Sequence, residues 1–368
     1  MIEGLLLAAL VPRPVPGVVI DYHAASSKVY IGSPSIAILP NGDYVASHDD
    51  FGPNMGKAGA TKLFRSTDRG LTWTPLASLD PVAWSGLFVH RGALYMMGTA
   101  RGYGQFVIRR SDDGGATWTY ASPIRADKGY HTAPTSVVVA KGRIWRALEN
   151  RPSGGEWAKS FRAGMLSAPE NADLLDPKSW TMTNLLPSDR DWNGGDMYGW
   201  LEGGAVVAPD GGLVDLLRVD VRKPREKAAI VRISPDGATA SFDLATGFVD
   251  FPGGSKKFTV RYDPTSRLYW SLATTVADKY RNDPPSHVRN TLSLIASPDL
   301  NHWTVRRTVM SGGGIGHTGF QYADWLFDGD DIAAVVRTAF DGAKSAHNSN
   351  YLTFQRVPRF RDSTDAER

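Results

Sequence analysis

Short apolar runs recur in pairs along this chain, each pair joined by a compact polar turn. Ser35-Leu39 leads through Asn41-Gly42 to Tyr44-Ser47, and Gly86-Val89 through Arg91-Gly92 to Leu94-Gly98. Thr135-Val139 follows the same scheme through Lys141-Gly142 to Ile144-Leu148, and Ala205-Ala208 through Asp210-Gly211-Gly212 to Leu213-Arg218. The last pairs are Phe258-Tyr262 with Leu268-Ala273 and Phe320-Phe327 with Ile332-Thr338. Runs too short for helices, rich in β-branched and aromatic residues and separated by Asn-Gly or Asp-Gly, predict β-hairpins. Each hairpin is followed by a third apolar run: Lys62-Arg65, Phe106-Arg109, Arg162-Leu166, Ala229-Ile233, Thr291-Ile295 and Tyr351-Phe354. The pattern predicts six repeats of a strand unit.

A turn motif ties the repeats together. Ser66-Thr67-Asp68-Arg69-Gly70-Leu71-Thr72-Trp73 and Ser111-Asp112-Asp113-Gly114-Gly115-Ala116-Thr117-Trp118 both read S-x-D-x-G-x-T-W. A carboxylate that bonds donors of its own turn, a glycine with positive φ and a tryptophan that plugs the next strand pair make a self-contained structural unit, the Asp-box. A degenerate form stands at Ser297 to Trp303, with traces at Ser234 to Gly237 and at Ser167 to Trp180. Repetition at this period predicts an all-β, single closed β-propeller. The sixth repeat ends in only a short tail, while Gly17-Asp21 is an orphan strand, so the N-terminal strand is expected to complete the last blade and leave no open sheet edge. The expected division is an N-terminal leader or disordered tail over 1–16, a propeller over 17–360 and a disordered tail over 361–368. The polar segments 150–159, 222–227 and 278–287 read as insertions.

Composition narrows the picture. Aromatics at 10%, with 11 Trp and 38 Gly, suit short strands and turns. The net charge is only +3, with acids and bases interspersed, which argues against a nucleic-acid partner. No run reaches the length of a membrane span. Without cysteine there are no disulfides, thiolate metal sites or cysteine nucleophiles. The apolar run Gly4-Val11 resembles the end of a secretory leader, which points to a secreted or periplasmic protein, but Glu3 precedes it in place of basic residues, so a cytoplasmic chain stays open.

In such a ring, residues just before each first strand and just after each second strand meet around the axis on the face opposite the Asp-boxes. They include His48, Asp49, Trp84, Arg101, Tyr130, His131, Arg146 and Glu149, then Tyr198, Trp200, Glu202, Arg218, Lys256, Lys257, His317, Arg337 and His347. Arginines, lysines and histidines with aromatic walls suit a carboxylate-bearing sugar, so an acidic oligo- or polysaccharide is the expected ligand. Tyr130 and Arg146 lie on paired strands of one hairpin and are expected side by side, with the guanidinium lowering the phenol pKa. No cofactor is required; Ca²⁺ could be held by His317 with axial Asp and Asn residues.

The Asp-boxes make the chain resemble the sialidase-like propeller superfamily, although Gly32-Ser33-Pro34-Ser35-Ile36 stands where sialidases carry an R-I-P motif, and no arginine triad is legible. The stretches Val19-Asp21, Tyr30-Ser35, Ala46-Asp49, Phe51-Pro53, Tyr130-Pro134, Arg143-Glu149, His317-Tyr322 and Ala346-Phe354 are similar to propellers that act on rhamnose linked α-1,4 to glucuronate in gum arabic and arabinogalactan. That family contains polysaccharide lyases working by β-elimination and α-L-rhamnosidases, and its relatives are described as seven-bladed, so seven blades are open beside the six counted. The resemblance implies Arg146 as the carboxylate partner and Tyr130 with His48 as proton carriers. His131 is preferred over His90 as a further catalytic histidine, because His90 falls beside a hairpin turn on the other face. Trp84, Arg101, Glu149, Trp200, Glu202, Arg218, Lys257, His317, Arg337 and His347 are the expected substrate-binding set. A glycosidase using two of Asp49, Glu149 and Glu202, and a non-catalytic carbohydrate-binding propeller, are the alternatives.

Overall fold

The computed structural model describes residues 14–53, 59–221 and 226–363. Its strands form six antiparallel sheets arranged as the blades of one propeller. Blade one is Tyr30–Ile31 with Ser35–Ile38, then Tyr44–Phe51, Thr61–Ser66 and Thr74–Leu79; blade two is Val82–His90, Ala93–Ala100, Phe106–Ser111 and Ser122–Pro123. Blade three has Tyr130–His131 with Val137–Ala140, Arg143–Asn150, Arg162–Pro169, and the short outer pieces Thr181–Met182 and Leu186–Pro187. Blade four runs through Met197–Val207, Leu213–Val221, Lys227–Ile233, Ala240–Ser241 and Phe248–Asp250, and blade five through Val260–Asp263, Leu268–Thr274, Thr291–Ile295 within Thr291–Ser297, and Thr304–Ser311. Blade six comprises Gly319–Asp328, Asp331–Ala339 and Tyr351–Val357 and takes its outer strand, Val18–Tyr22, from the start of the chain. The expected closure is therefore present, and the blades number six. No helix among the described residues is long and apolar enough to cross a membrane.

Side chains alternate across a strand, and here both faces of each blade meet a neighbour, so the strands read as nearly continuous apolar runs. Six of the hydrophobic clusters each fill one interface between consecutive blades. The cluster around Trp145, Trp200 and Leu217 joins blades three and four, and Ile20, Ile36, Phe64 and Phe354 join six to one. Each large apolar side chain buried in this way contributes about 1.5–3 kcal/mol. The polar stitching is equally regular near the axis: Asp324 of blade six accepts from Ser35 Oγ at 2.6 Å and the Ile36 amide at 3.2 Å, and Ser35 Oγ accepts from the Leu87 amide at 2.9 Å.

The Asp-boxes behave as structural turns. In the first, Asp68 accepts from Ser66 Oγ, Thr72 N and Thr72 Oγ1, and the Trp73 indole donates to Gly70 O at 3.2 Å. Asp113 and Trp118 repeat the arrangement, and Asp299 with Trp303 repeats it around Leu300, whose φ of 69° takes the place of glycine's. Arg69 of the first box reaches Asp328, in the hairpin turn of blade six, which places boxes and hairpin turns on one face.

One expectation about the ends changes. Residues 361–363 are ordered: Phe360 is fully buried and Arg361 pairs with Asp263 at 2.7 Å, so the C-terminal element packs on blade five. Residues 1–13 and 364–368, and most of the expected 222–227 insertion, lie outside the described residues.

Hydrogen bonds from Thr72 and Ser66 hold the Asp68 carboxyl down at about 2, and bonds from Thr117 do the same for Asp113. A depressed folded-state pKa contributes stability above the unfolded value of about 3.9 that is lost as pH falls towards 2. Asp68→Ala and Asp113→Ala should lower Tm at pH 7 and flatten the fall in Tm between about pH 4 and 2, which thermal melts across that window would show. Deleting residues 1–22 removes the outer strand of blade six and exposes the Tyr351–Val357 edge; a lower Tm and self-association by light scattering are expected, and an unchanged monomer would contradict the closure.

Candidate active site

The innermost strands do not run unbroken. In blades two, four and six they carry a bulge, with register shifts at Ala83/Gly86, Leu201/Gly204 and Gln321/Asp324. Each bulge holds one non-glycine residue with positive φ: Trp84 at 56°, Glu202 at 51° and Tyr322 at 56°. Such conformations are strained and persist only where the surroundings enforce them, and bulges of this kind re-aim side chains. The enforcing group comes from the second strand of blades one and three and, for blade six, from the segment leading into blade five. Asp49 accepts from the Trp84 amide at 3.2 Å, Glu149 from the Gly203 amide at 2.8 Å, and Lys257 donates to Ala323 O at 2.8 Å.

The bulges bring Tyr322 and Glu202 together across the axis, the phenol donating to Glu202 Oε1 at 2.5 Å. Arg218, paired with Leu201 in the strand register, donates to Glu202 Oε2 at 2.8 Å. Arg337, opposite Gln321, lies with its guanidinium carbon 5.0 Å from the Tyr322 ring centre and 4.6 Å from that of Phe51. Arg289 donates to Gln321 Oε1. Among the described residues neither Arg289 nor Arg337 has a carboxylate within salt-bridge distance. A cavity of about 540 Å³ opens over this group, lined by Arg218, Arg289, Tyr322, His347, Trp157 and His287 among others.

The electrostatics are those of a buried carboxylate–phenol pair surrounded by arginines. Burial raises the Tyr322 pKa and Glu202 adds to it, outweighing the three arginines. For Glu202, burial alone would raise the pKa, but Arg218, His131 and the Tyr322 hydroxyl together hold it below the ordinary range. Burial lowers Arg289 to about 10, with Arg218 and Arg337 pushing the same way. Beside the pair, His131 Nδ1 meets Glu149 Oε2 at 2.9 Å, and its ring packs on Trp84 and Phe161. Burial raises the Asp49 carboxyl.

Several expected site residues are elsewhere or otherwise engaged. Tyr130 and Arg146 are not side by side: Tyr130 pairs with Asn150 and Arg146 with Val137, because the inner strand of blade three is interrupted between them. Tyr130 is buried among Phe106 and its neighbours and donates to Asp127 at 2.7 Å; burial and then Asp127 push its pKa up to about 12, the opposite of the expected depression. Arg146 is fully buried and braces the interruption through Thr132, Ala133 and Thr135. His48 faces away from the arginines, its Nε2 on Asp21 at 2.9 Å, since alternate residues of its strand point to opposite neighbours and Asp49 takes the other side. Trp200 is core, its indole on Leu186 O and its ring against Trp192 and Phe242. Lys257 is buried under the Tyr322 bulge, Lys256 pairs with Glu226, and Arg101 is exposed in a turn. His317 is exposed with Nδ1 on Ala343 O and belongs to no cluster of metal-ligating spacing among the described residues. His90 bonds Glu170 O beside its hairpin turn.

Trp84, His131, Glu149, Glu202, Arg218, Arg337 and His347 do gather around the axis. Tyr322 and Arg289 were not expected there. Tyr322 falls inside an apolar run that reads as continuous strand, and Arg289 follows a polar insertion; the one available signal was the polar Gln321-Tyr322 step within that run.

No family model matches the sequence, and no curated protein matches it. Solved structures do share its architecture. A Penicillium chrysogenum α-L-arabinanase superposes with a TM-score of 0.61 at 13% identity, over 96% of this chain and 100% of that one. The Hadza microbial sialidase Hz136 gives 0.62 at 14%, over 92% and 67%, and a Fusarium graminearum α-L-arabinofuranosidase 0.62 at 10%, over 93% and 96%. At such identities the likeness establishes the fold: a six-bladed β-propeller of the sialidase-like, arabinanase-type architecture.

Proposed function

We propose that this protein is a carbohydrate-active enzyme, a retaining glycosidase that removes a carboxylate-bearing sugar from a glycan end. The observation that carries the reading is the 2.5 Å Tyr322–Glu202 hydrogen bond beneath Arg218, Arg289 and Arg337. The arginines grip the sugar carboxylate, and Arg337 of blade six supplies the third cation in place of the missing first-blade motif. A neutral phenol approaches an anionic sugar without the repulsion a carboxylate nucleophile would meet. As Tyr322 Oη bonds the anomeric carbon, its proton passes to Glu202 and the glycosidic oxygen leaves with a proton from His131, held by Glu149. Water, giving its proton to the now neutral His131, then attacks the anomeric carbon of the tyrosyl–sugar intermediate, and Glu202 returns its proton to the departing phenol as the sugar is released with net retention. Tyrosine nucleophiles of this kind are the sialidase exception among glycosidases. The arabinanase, arabinofuranosidase and sialidase neighbours support a glycan substrate.

The second reading is β-elimination at rhamnose-α-1,4-glucuronate, favoured by the sequence resemblance and by the His131–Glu149 pair lying near Glu202. There the arginines would stabilise the enolate of the uronate, His131 would take the C5 proton and Tyr322 would protonate the leaving oxygen. The assay separates the two. Glycans ended by sialic acid, glucuronate or rhamnosyl-glucuronate are incubated with the enzyme and the products resolved; a saturated acidic sugar released with retention supports hydrolysis, whereas the ultraviolet absorbance of an unsaturated uronate establishes elimination instead.

Tyr322→Phe and Glu202→Gln should lower kcat by about 10²–10⁴-fold with KM little changed, and Arg289→Lys should act mainly on KM because an ammonium cannot reproduce the planar grip. Tyr130→Phe should leave kcat/KM near the wild-type value; turnover lost in folded Tyr130→Phe would overturn the assignment of the site. Because Glu202 must be ionised and its pKa is depressed, the acid limb of kcat/KM should lie below the ordinary glutamate value of about 4.3, and a limb above it would contradict Glu202 as base.

A further inference from the structure

Where the N-terminal strand meets blade one, five titratable side chains crowd together. Asp21 lies on that strand and His23 just beyond it; His48 and Asp50 point towards them from the second strand of blade one, and Lys62 from its third. His48 Nε2 is 2.9 Å from Asp21 Oδ2, His23 Nε2 is 3.7 Å from the same oxygen, and His23 Nε2 is 3.1 Å from Asp50 Oδ1. One ligand atom from each of Asp21, His23 and His48 falls within 4.8 Å of the others.

The orientation of His48 is that of a ligand. Its Nε2 donates to Asp21 Oδ2 at 2.9 Å, while Nδ1 lies 3.3 Å from Asp49 O and 3.6 Å from Asp50 Oδ1; a cation that takes the place of the Nε2 proton leaves Nδ1–H to donate to Asp49 O. A second nitrogen bonded to a carbonyl or carboxylate is what fixes metal-ligating imidazoles, and Phe64, stacked at 5.8 Å, locks the ring. Two imidazole nitrogens and a carboxylate, with a second carboxylate adjacent, match Zn²⁺ and related borderline cations; Ca²⁺ takes oxygen ligands. The position is filled by the Lys62 ammonium, 3.2 Å from His23 Nε2 and 3.5 and 3.6 Å from Asp50 and Asp21. The Lys62 side chain is 29% exposed and free to swing outwards.

We propose that Asp21, His23 and His48 form a zinc-class cation site, with Asp50 beside them, in which the metal displaces the Lys62 ammonium and fastens the N-terminal strand to blade one. The site stands apart from the arginine cluster and is independent of the glycosidase reading. Chelator-stripped full-length protein is titrated with ZnCl₂ by calorimetry and its melting followed with and without the metal. One Zn²⁺ per chain and a higher Tm with zinc are expected. His23→Ala and Asp21→Asn, both at partly exposed positions, should weaken binding by about tenfold or more, and Lys62→Met should tighten it by removing the competing cation. No saturable uptake by the wild type, or uptake unaltered in both His23→Ala and Asp21→Asn, would overturn the proposal.

Discussion

An innermost propeller strand has one edge with no strand partner, and its amides and carbonyls must still be satisfied as it nears the axis. This protein meets that constraint with an alternating scheme. Blades two, four and six bulge at Trp84, Glu202 and Tyr322, and each bulge is held by a buried charged side chain: Asp49 or Glu149 from the blade before it, or Lys257 from the segment leading into blade five. Even blades thus carry the strained positions. The strain is tolerated because the anchors are themselves buried, and its consequence is that three side chains with ordinary strand sequence around them turn into the funnel.

Charge burial follows from the same arrangement. Arg146, Asp215 and Asp324 are buried near one another, and burial with Glu149 nearby pushes the Asp215 carboxyl well up. Charges so placed are costly to remove singly, since each would leave a partner uncompensated. At the open end the balance differs. Arg289 and Arg337 are buried and mutually repelling, and among the described residues no carboxylate pairs with them, so the fold itself sustains a repulsion between them that an anion placed there would relieve.

The two ends of the axis show how little cavity size says about chemistry. The Asp-box face carries a larger hollow of about 630 Å³, walled chiefly by Val137, Val206, Val260, Leu326 and Phe327. The smaller hollow is lined by Tyr322, Arg218 and Arg289, and Glu202 bonds both Tyr322 and Arg218, because bulged strands re-aim polar side chains there while the straight lower halves of the same strands keep their apolar alternation.

What the sequence by itself determined is whatever depends on local pattern. Hairpin turns such as Asn41-Gly42, the Asp-boxes at Asp68 and Asp113 and the orphan strand at Val18 are read within a few residues of themselves, and they were enough for the fold, the six blades and their closure. The gathering of Glu202, Arg218 and Arg337 was legible too, since strand ends of a ring must converge. The tertiary structure alone decided how the candidate residues are disposed. Bulges break the period of two that places side chains, so Tyr322 looks like strand interior, Tyr130 and Arg146 look like partners when an interruption separates them, and His48 looks axial when alternation sends it to Asp21. A bulge is set by what presses on the strand from the next blade, and that neighbour is not adjacent in sequence.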